Sequence, residues 1–327
     1  MLRPRFRKYW PEKPSFQIRL LLRKFPHKTN VVRLFQSILL LLVLLPLAGN
    51  SQSFYAVRRE RSLVLVAGTG SSTYLGELND KTIPVDSKPV FSVGVQKRLF
   101  NHFSLRGEAE WFVLSGDDAK GGKSIRTRNL SFRSYSWEAS VIGVFDFLPT
   151  GKRFYQRPMF NIYAFGGLGY MHFNPKTLYQ GNWVDLQPLQ TELKAYSLYS
   201  LVIPMGLGAR LKMGPFANIT FEAGWRKTFT DYIDDVSTVH HDAAMFSNPL
   251  AATLSDRRPE IGLPVQPDGA KRGNPKSMDA YILYTVKLEY YLPDNLFGGG
   301  SSGPRKLNNT RRKSFYRYNK SGGLRRR

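Results

Sequence analysis

The chain of 327 residues contains no cysteine. This absence excludes disulfide bonds, cysteine-ligated zinc, iron–sulfur centres, thiol catalysis and lipid attachment at a cysteine. Long apolar runs are also scarce. The longest one, residues 38–45, has eight residues, whereas a helix that crosses a bilayer needs about 20. The sequence therefore predicts no membrane-spanning helix.

Acidic residues are few, with 24 Asp and Glu against 48 Lys and Arg, which gives a net charge of +24. The excess lies at the two ends. Residues 1–33 hold ten basic residues and one acidic residue, and residues 304–327 hold ten basic residues and no acidic one. The 270 residues between them carry 28 basic and 23 acidic side chains. Because this body is nearly balanced, the charge does not by itself indicate a nucleic-acid-binding protein.

The apolar run at 38–45 has the surroundings of a secretory signal peptide. Lys28 and Arg33 precede it, and the small residues Gly49 and Ser51 follow it. A basic region, a short apolar region and small residues at a cleavage site are typical of such peptides. We expect a leader over residues 1–51, cleavage after Ser51, and a short periplasmic segment over 52–61. The alternative is a short buried helix.

From residue 62 onward, polar and apolar residues alternate with the period of a β-strand. In the segment 135–147, Tyr135 and Trp137 begin an apolar face, and Ser136 and Glu138 begin a polar one. Side chains on a strand point alternately to its two faces. Eight segments show this pattern, at about 62–75, 89–99, 103–114, 132–147, 158–172, 196–213, 216–230 and 279–292.

The connections between these segments alternate between short and long. This arrangement is typical of transmembrane β-barrels, in which an even strand count places both termini on the short-turn side. We therefore predict an all-β fold, an eight-stranded antiparallel transmembrane β-barrel over residues 62–292. Its short turns and both termini would face the periplasm, and its long loops the cell exterior. A soluble β-sandwich also alternates, but its strands are usually about five or six residues long.

The polar face of the segments carries charges of both signs. An eight-stranded barrel is narrow, and its interior is filled by side chains. Buried charges need partners, so we predict interior ion pairs rather than an ion pathway. In the sixth segment Pro204 cannot donate a ladder hydrogen bond, which predicts a bulge there. The predicted inward-facing charged set is Arg106, Glu108, Glu110, Glu138, Arg210, Glu222, Arg226, Lys287 and Glu289.

Acidic residues and histidines cluster after the seventh segment, and they are weak candidates for a metal site: Asp231, Asp234, Asp235, His240 and His241. Their spacing fits no known calcium or zinc pattern. The alternative is a loop whose Asp side chains cap backbone amides and pair with Arg226 or Lys227. Neither His102 nor His172 has a nucleophile motif nearby. We predict no cofactor, no metal and no enzymatic activity.

The C-terminal end consists of a Gly/Ser linker at 293–303 and a basic tail at 304–327. After export such a tail meets no nucleic acid, so its candidate partners are lipid phosphates and acidic protein surfaces. The alternative is a solvated, disordered tail. The predicted partner-binding residues of the tail are Arg305, Lys306, Arg311, Arg312, Lys313, Arg317, Lys320, Arg325, Arg326 and Arg327.

Three stretches resemble a known family. They are YLGELND at 74–80, IPMGLG at 203–208 and FEAGWRKTFTDYIDDVS at 221–237. Together they resemble the PorG family, outer-membrane barrel proteins of Bacteroidota associated with the type IX secretion system and gliding motility. The resemblance spans about residues 60–295 and includes neither the leader nor the tail.

The resemblance implies an integral outer-membrane barrel that anchors or assembles the periplasmic PorK/PorN-type ring, and it brings no catalytic residues. The partners it implies are outer-membrane lipid and the ring proteins, with no nucleic acid and no small-molecule substrate. Two alternatives stay open. One is a generic structural barrel or small-solute porin, and the other is an outer-membrane lipid-modifying enzyme.

Overall fold

The computed structural model describes residues 61–78, 88–151 and 156–293. The predicted leader, the linker beyond residue 293 and the basic tail lie outside the described residues, as does all but the end of the segment 52–61. In chain order the strands are β1 (Leu63–Leu75), β2 (Lys88–Arg98), β3 (Phe103–Asp117), β4 (Ser131–Asp146), β5 (Phe160–His172), β6 (Pro175–Tyr179), β7 (Asn182–Asp185), β8 (Tyr199–Met213), β9 (Ala217–Thr228) and β10 (Ala280–Leu292).

Eight of these strands close into a single antiparallel barrel. Hydrogen bonding follows the order β3-β2-β1-β10-β9-β8-β5-β4, and β3 pairs with β4 to complete the ring. Leu63 at the start of β1 lies opposite Leu292 at the end of β10. The predicted eight-stranded barrel is therefore confirmed. The two additional strands, β6 and β7, form a hairpin that extends the ladder of β4 through Arg133 and Ser134.

The outer surface of the barrel is apolar. Alternation along each strand places large apolar side chains outward, and many of them are at least 40% exposed. A soluble domain would not leave such a continuous apolar wall uncovered, whereas a barrel embedded in lipid requires one. Examples from six strands are Leu105, Val141, Leu168, Leu201, Leu207, Phe221, Val286 and Leu288.

Aromatic side chains lie at two levels of this wall. Near the long-loop end of the barrel, Trp111 stacks with Tyr135 at 6.3 Å between ring centroids, and Tyr170 with Tyr199 at 5.5 Å. On β4, Tyr135 and Phe145 mark the two levels and are separated by ten residues. At about 3.4 Å per residue and a tilt of roughly 40°, this spacing corresponds to about 26 Å along the barrel axis. The separation matches the thickness of the apolar band in outer-membrane barrels, about 25 Å.

The two ends of the barrel differ. The short-turn end carries the turns at 99–102 and 214–216 and the described parts of a third connection, 147–151 and 156–159. At the long-loop end, the described parts of four loops (76–78, 118–130, 173–198 and 229–279) fold together into what we call the cap. The cap contains α1 (Lys123–Arg126), α2 (Pro249–Ser255) and the β6–β7 hairpin. Its apolar core joins the top of the barrel, because Leu130, Leu186, Ile233 and Leu254 cluster with Tyr74 and other barrel residues.

Pro204 does not form the predicted bulge. The β5–β8 ladder is paired as far as Gly166 opposite Met205 and resumes at Gly169 opposite Val202. Each strand thus has two residues between these pairs, and no extra residue is inserted. Pro204 remains in register with Arg226 on β9. Because proline lacks the backbone N–H, the hydrogen bonding between β8 and β5 is interrupted at this point, although the two strands keep the same number of residues there.

None of the helices in the described part of the chain has the length and apolar character that crossing a membrane would require.

Candidate functional site: the barrel interior and the cap

The barrel interior holds a central cluster of seven charged side chains, defined as Arg106, Glu108, Glu110, Glu138, Glu222, Arg226 and Lys287. Arg106 Nη1 lies 2.5 Å from Glu222 Oε1, and its Nε lies 3.1 Å from Glu108 Oε2. Lys287 Nζ pairs with Glu108 and lies 2.7 Å from Glu222 Oε2. These contacts come from strands on opposite sides of the ring, so the cluster fills the lumen.

Arg226 extends the central cluster toward the long-loop end. Its Nη2 donates to Glu110 Oε2 at 2.8 Å, and its Nε lies 3.8 Å from Glu138 Oε2. Glu138 also accepts a hydrogen bond from the Tyr281 hydroxyl at 2.7 Å. The cluster has three basic and four acidic members, so each cation serves more than one carboxylate.

A second group, the short-turn cluster, lies nearer the other end and consists of Asp146, Arg210 and Glu289. Arg210 pairs with Asp146, and its Nε donates to Glu289 Oε2 at 2.8 Å. Asn218 donates to Glu289 at 2.8 Å, and Asn161 donates to Asp146 at 3.3 Å. Sequence reasoning placed Arg210 and Glu289 in the interior but left Asp146 out. Asp146 occupies an even position in the alternating segment 135–147. The even positions form the polar face of that segment, so this position indicates that Asp146 faces inward.

All nine side chains predicted to face inward are buried. The most exposed of them, Arg210, is 6% exposed, and Arg106, Lys287 and Glu289 are at most 1% exposed. Solvent therefore does not reach the charged groups along the lumen. The interior is packed with paired ions rather than lined by water.

A salt-bridged core holds the cap together. Arg272 Nη1 donates to Glu192 Oε1 at 2.8 Å and to the Asp235 carbonyl at 2.6 Å. Glu192 also accepts the backbone N–H groups of Ser237 at 2.9 Å and Thr238 at 3.0 Å. Burial raises the pKa of the Glu192 carboxyl, but Arg272 and these hydrogen bonds outweigh it and hold the pKa below its ordinary value.

Carboxyl groups with few partners lie beside this salt-bridged core. Both oxygens of Asp231 and one oxygen each of Asp234 and Glu77 are buried without a hydrogen-bond partner. Burial, together with nearby acids, raises the pKa of Asp231 and Glu77 to about 7 and that of Asp234 to about 8. These carboxyl groups are therefore at least partly protonated near neutral pH, unlike ordinary Asp and Glu side chains.

The weak metal candidates fall into separate parts of the cap. Asp235 accepts hydrogen bonds from Thr191 and Tyr196 at 2.5 and 2.6 Å, and Asp234 caps the Val236 N–H at 3.0 Å. His241 lies 3.6 Å from Asp268 at the surface. In the described ranges, no three His, Asp or Glu side chains come together in a way that could hold a metal ion. Of the three Asp side chains, Asp234 caps a backbone amide, as the alternative predicts, whereas Asp235 accepts from side-chain hydroxyls and faces Arg272 rather than Arg226 or Lys227.

The two barrel histidines take part in structural contacts. His102 Nδ1 lies 2.8 Å from the Asp146 carbonyl oxygen, next to the short-turn cluster. His172 stacks on Trp137 at 5.9 Å between centroids and contacts Tyr199 at 4.8 Å. The second histidine thus belongs to the outer aromatic level near the long loops.

The closed ring, the apolar wall with two aromatic levels and the ion-filled lumen define an outer-membrane-type β-barrel. No family model matches the chain, and no curated protein matches it. Among solved structures, it is similar to the N-terminal β-barrel domain of OprF from Pseudomonas aeruginosa, with 7% identity and a TM-score of 0.33, over 72% of this chain and 100% of that one. It is also similar to Ail of Yersinia pestis, with 8% identity and a TM-score of 0.35, over 71% of this chain and 99% of that one. The similarity to Neisserial surface protein A has 9% identity and a TM-score of 0.35, over 70% of this chain and 97% of that one.

Proposed function

We propose that this chain is a non-enzymatic outer-membrane barrel that anchors or assembles the periplasmic PorK/PorN-type ring of a type IX secretion apparatus. The observation that supports the non-conducting part is the sealed interior. Nine paired charges, each at most 6% exposed, leave the lumen no room for a solute path or a substrate. A barrel of this kind serves as a fixed body in the membrane that other proteins can bind.

The secretion role rests on the family resemblance, and the fold explains what the resembling residues do. The most specific stretch, 221–237, runs along β9 and into the cap. Its Glu222 and Arg226 belong to the central cluster, and its Asp235 belongs to the salt-bridged core of the cap. These three residues of the resembling stretch contribute to the sealed interior and to the cap that covers it.

The position at which the barrel begins and ends supports a ring contact on the short-turn side. β1 begins and β10 ends at that end, where the Arg61 Nη1 donates to the Tyr291 carbonyl at 2.7 Å. We propose that this end faces the periplasm, which places the tail at 304–327 on the side of the ring. The tail would contact acidic ring surfaces through many weak charge pairs.

The two alternatives have less support. A small-solute porin needs a hydrated lumen, and the interior charges here are buried and paired. A lipid-modifying enzyme needs an activated nucleophile. His102 and His172 instead contact a backbone carbonyl and aromatic rings.

Co-purification tests the ring contact and the tail separately. Ring proteins are captured with the full-length chain, with residues 1–303, and with a matched variant whose ten basic tail residues are changed to glutamine. We expect capture by the full-length chain at low salt, weaker capture at high salt because exposed charges are screened, and poor capture by both variants. Equal recovery from all three proteins would contradict the role of the tail, and no recovery from any would contradict the ring contact.

A further inference from the structure

A partly open polar cavity of about 320 Å³ lies in the cap. Three loops contribute to its lining. Glu77 comes from the β1–β2 loop, Arg128 from the β3–β4 loop, and His240 and Lys271 from the β9–β10 loop. Small-molecule sites in proteins usually occupy roughly 300–1,000 Å³, so the cavity has the size for one small ligand. It lies apart from the sealed barrel interior.

The walls of the cavity are fixed by hydrogen bonds between the loops. Arg128 donates to both carboxylate oxygens of Asp118, to the Glu77 carbonyl at 2.9 Å and to the Arg272 carbonyl at 2.7 Å. Within the β9–β10 loop, the backbone N–H of His240 donates a hydrogen bond to the Ala270 carbonyl at 2.7 Å. A site built on such cross-linked loops is formed before any ligand arrives, which lowers the cost of binding.

Two buried polar side-chain atoms of the lining residues have no hydrogen-bond partner. His240 Nδ1 and Glu77 Oε2 are buried and make no hydrogen bond, although Glu77 Oε1 accepts one from the Asn274 N–H. Leaving a buried polar group unsatisfied costs about 1–3 kcal/mol. Burial, with Arg272 nearby, lowers the pKa of His240 to about 4, so its ring is neutral at pH 7. A neutral ring can accept or donate one hydrogen bond at Nδ1, according to its tautomer.

The remaining lining groups decide the kind of ligand. The guanidinium groups of Arg128 and Arg272 already pair with carboxylates of the cap, so they do not call for an anion. Gln266 and Asn274 add amides that both donate and accept, and Lys271 is an exposed donor. A mixture of donors and acceptors in which both guanidinium groups are already paired and the Lys271 ammonium is exposed to solvent suits a molecule that carries many hydroxyl groups. We propose that this cavity binds a neutral saccharide unit of about one hexose.

Such a unit has two possible sources at an outer membrane. It can be part of the membrane's own lipopolysaccharide, or it can be a soluble or surface glycan. The chemistry of recognition is the same in both cases, because hydroxyl groups make the contacts. The proposal does not depend on the secretion role, since it concerns the cap and not the short-turn end.

Ligand-observed NMR on the full chain in lipid nanodiscs tests the proposal. The probes are D-glucose, D-galactose, D-mannose and N-acetyl-D-glucosamine, and a second arm uses the lipid-free core oligosaccharide of lipopolysaccharide. We expect saturation transfer to at least one of the probes, with affinity of the order of millimolar. Binding in the second arm alone assigns the source to the membrane glycolipid, whereas binding of free monosaccharides without binding in the second arm assigns it to a soluble glycan.

Two pairs of variants locate the binding. Gln266→Ala and Lys271→Ala remove lining groups, whereas Gln180→Ala and Lys276→Ala remove the same side-chain types elsewhere in the cap. Each lining variant should weaken binding about three- to tenfold, the cost of one hydrogen bond, and the matched variants should not. No saturation transfer in either arm, or equal binding by all four variants and the unaltered chain, would overturn the proposal.

Discussion

Arg106 illustrates how the barrel interior tolerates so many charges. It lies between Glu222 and Glu108 and is fully buried. Taking a charge out of water costs several kcal/mol, and only close partners offset this cost. Because the central cluster has three cations for four carboxylates, losing Arg106 leaves two cations for the same four carboxylates, and Glu108 and Glu222 then depend on Lys287 alone. The arrangement therefore depends on each member.

Replacing Arg106 tests this dependence. Arg106→Met keeps a long, unbranched side chain but removes the charged guanidinium group, and we expect a loss of about 3–5 kcal/mol in the free energy of unfolding. The double variant Arg106→Met with Glu222→Gln should recover part of that loss, because the excess negative charge falls again. Urea titration followed by heat-modifiable gel migration measures both. A single variant as stable as the unaltered chain would show that the pair contributes little.

Asp234 makes the cap sensitive to pH. Burial, with Glu77 nearby, raises its pKa from 3.8 to about 8. A carboxyl with a raised folded-state pKa contributes stability that is fully present below about pH 4 and is lost as the pH rises through about 8. The pKa values of Asp231 and Glu77 are raised in the same direction. The cation that opposes the rise is Arg128 for Asp234 and Glu77, and Lys194 for Asp231. The cap should therefore loosen in alkali while the barrel remains closed.

Hydrogen exchange between about pH 6 and about pH 9, corrected for intrinsic rates, measures this loosening. We expect the protection of backbone amides at 230–240 to fall about tenfold or more, the equivalent of one pKa unit. In Asp234→Asn the fall should be smaller, since the group that must ionise has gone. Barrel amides on β9 serve as the internal control. If the protection of these amides falls equally in Asp234→Asn and in the unaltered chain, the loosening of the cap is caused by titration of groups other than Asp234.

At the scale of the strands, the narrow lumen depends on glycine where large side chains cross it. Gly208 on β8 faces Tyr163 of β5, and a Cβ atom at Gly208 would lie 2.3 Å from the tyrosine ring. The Tyr163 hydroxyl donates to Glu222 at 2.6 Å, so the ring cannot move away without disturbing the central cluster. Close packing of this kind makes a single added methyl group costly.

The pair Gly208→Ala and Gly107→Ala measures that cost. Gly107 lies outward on β3, with nothing within 4 Å of an added Cβ. We expect Gly208→Ala to lower the free energy of unfolding by about 1–3 kcal/mol. Gly107→Ala should be neutral or slightly stabilising, because alanine loses less backbone entropy than glycine. Equal effects of the two substitutions in urea titration would show that the interior has room to spare.

The strands were predictable because their pattern is local, whereas the cap was not. The alternation around Trp137 locates β4 and its inward face without any knowledge of its neighbours. The partner of Arg106, however, is Glu222, which lies 116 residues further along the chain, so spacing alone could not pair them. The β6–β7 hairpin and the Arg272–Glu192 contact lie in loops whose order comes from tertiary packing, and loops carry no periodic signal.

Taken as a whole, the molecule has a membrane part that faces lipid and a cap that closes the top of the lumen. Tyr74, Phe112 and Tyr281 from the barrel pack with Ile233 and Leu254 of the cap in one apolar cluster. Below that cluster lie the paired ions of the central cluster. An ion crossing the barrel would have to displace both layers, and the buried charges it met would already be paired.

Planar bilayer recording is the test at this scale. We expect the purified full chain to insert without steady conductance steps, because no hydrated path runs through a lumen whose charges are at most 6% exposed. Heat-modifiable migration of the same sample shows that the inserted protein is folded, and an established porin in the same bilayer shows that channels are detectable. The Arg106→Met variant should also be silent, since its apolar cluster remains in place. Reproducible unitary steps from the folded, unaltered chain would favour the small-solute porin over an anchoring barrel.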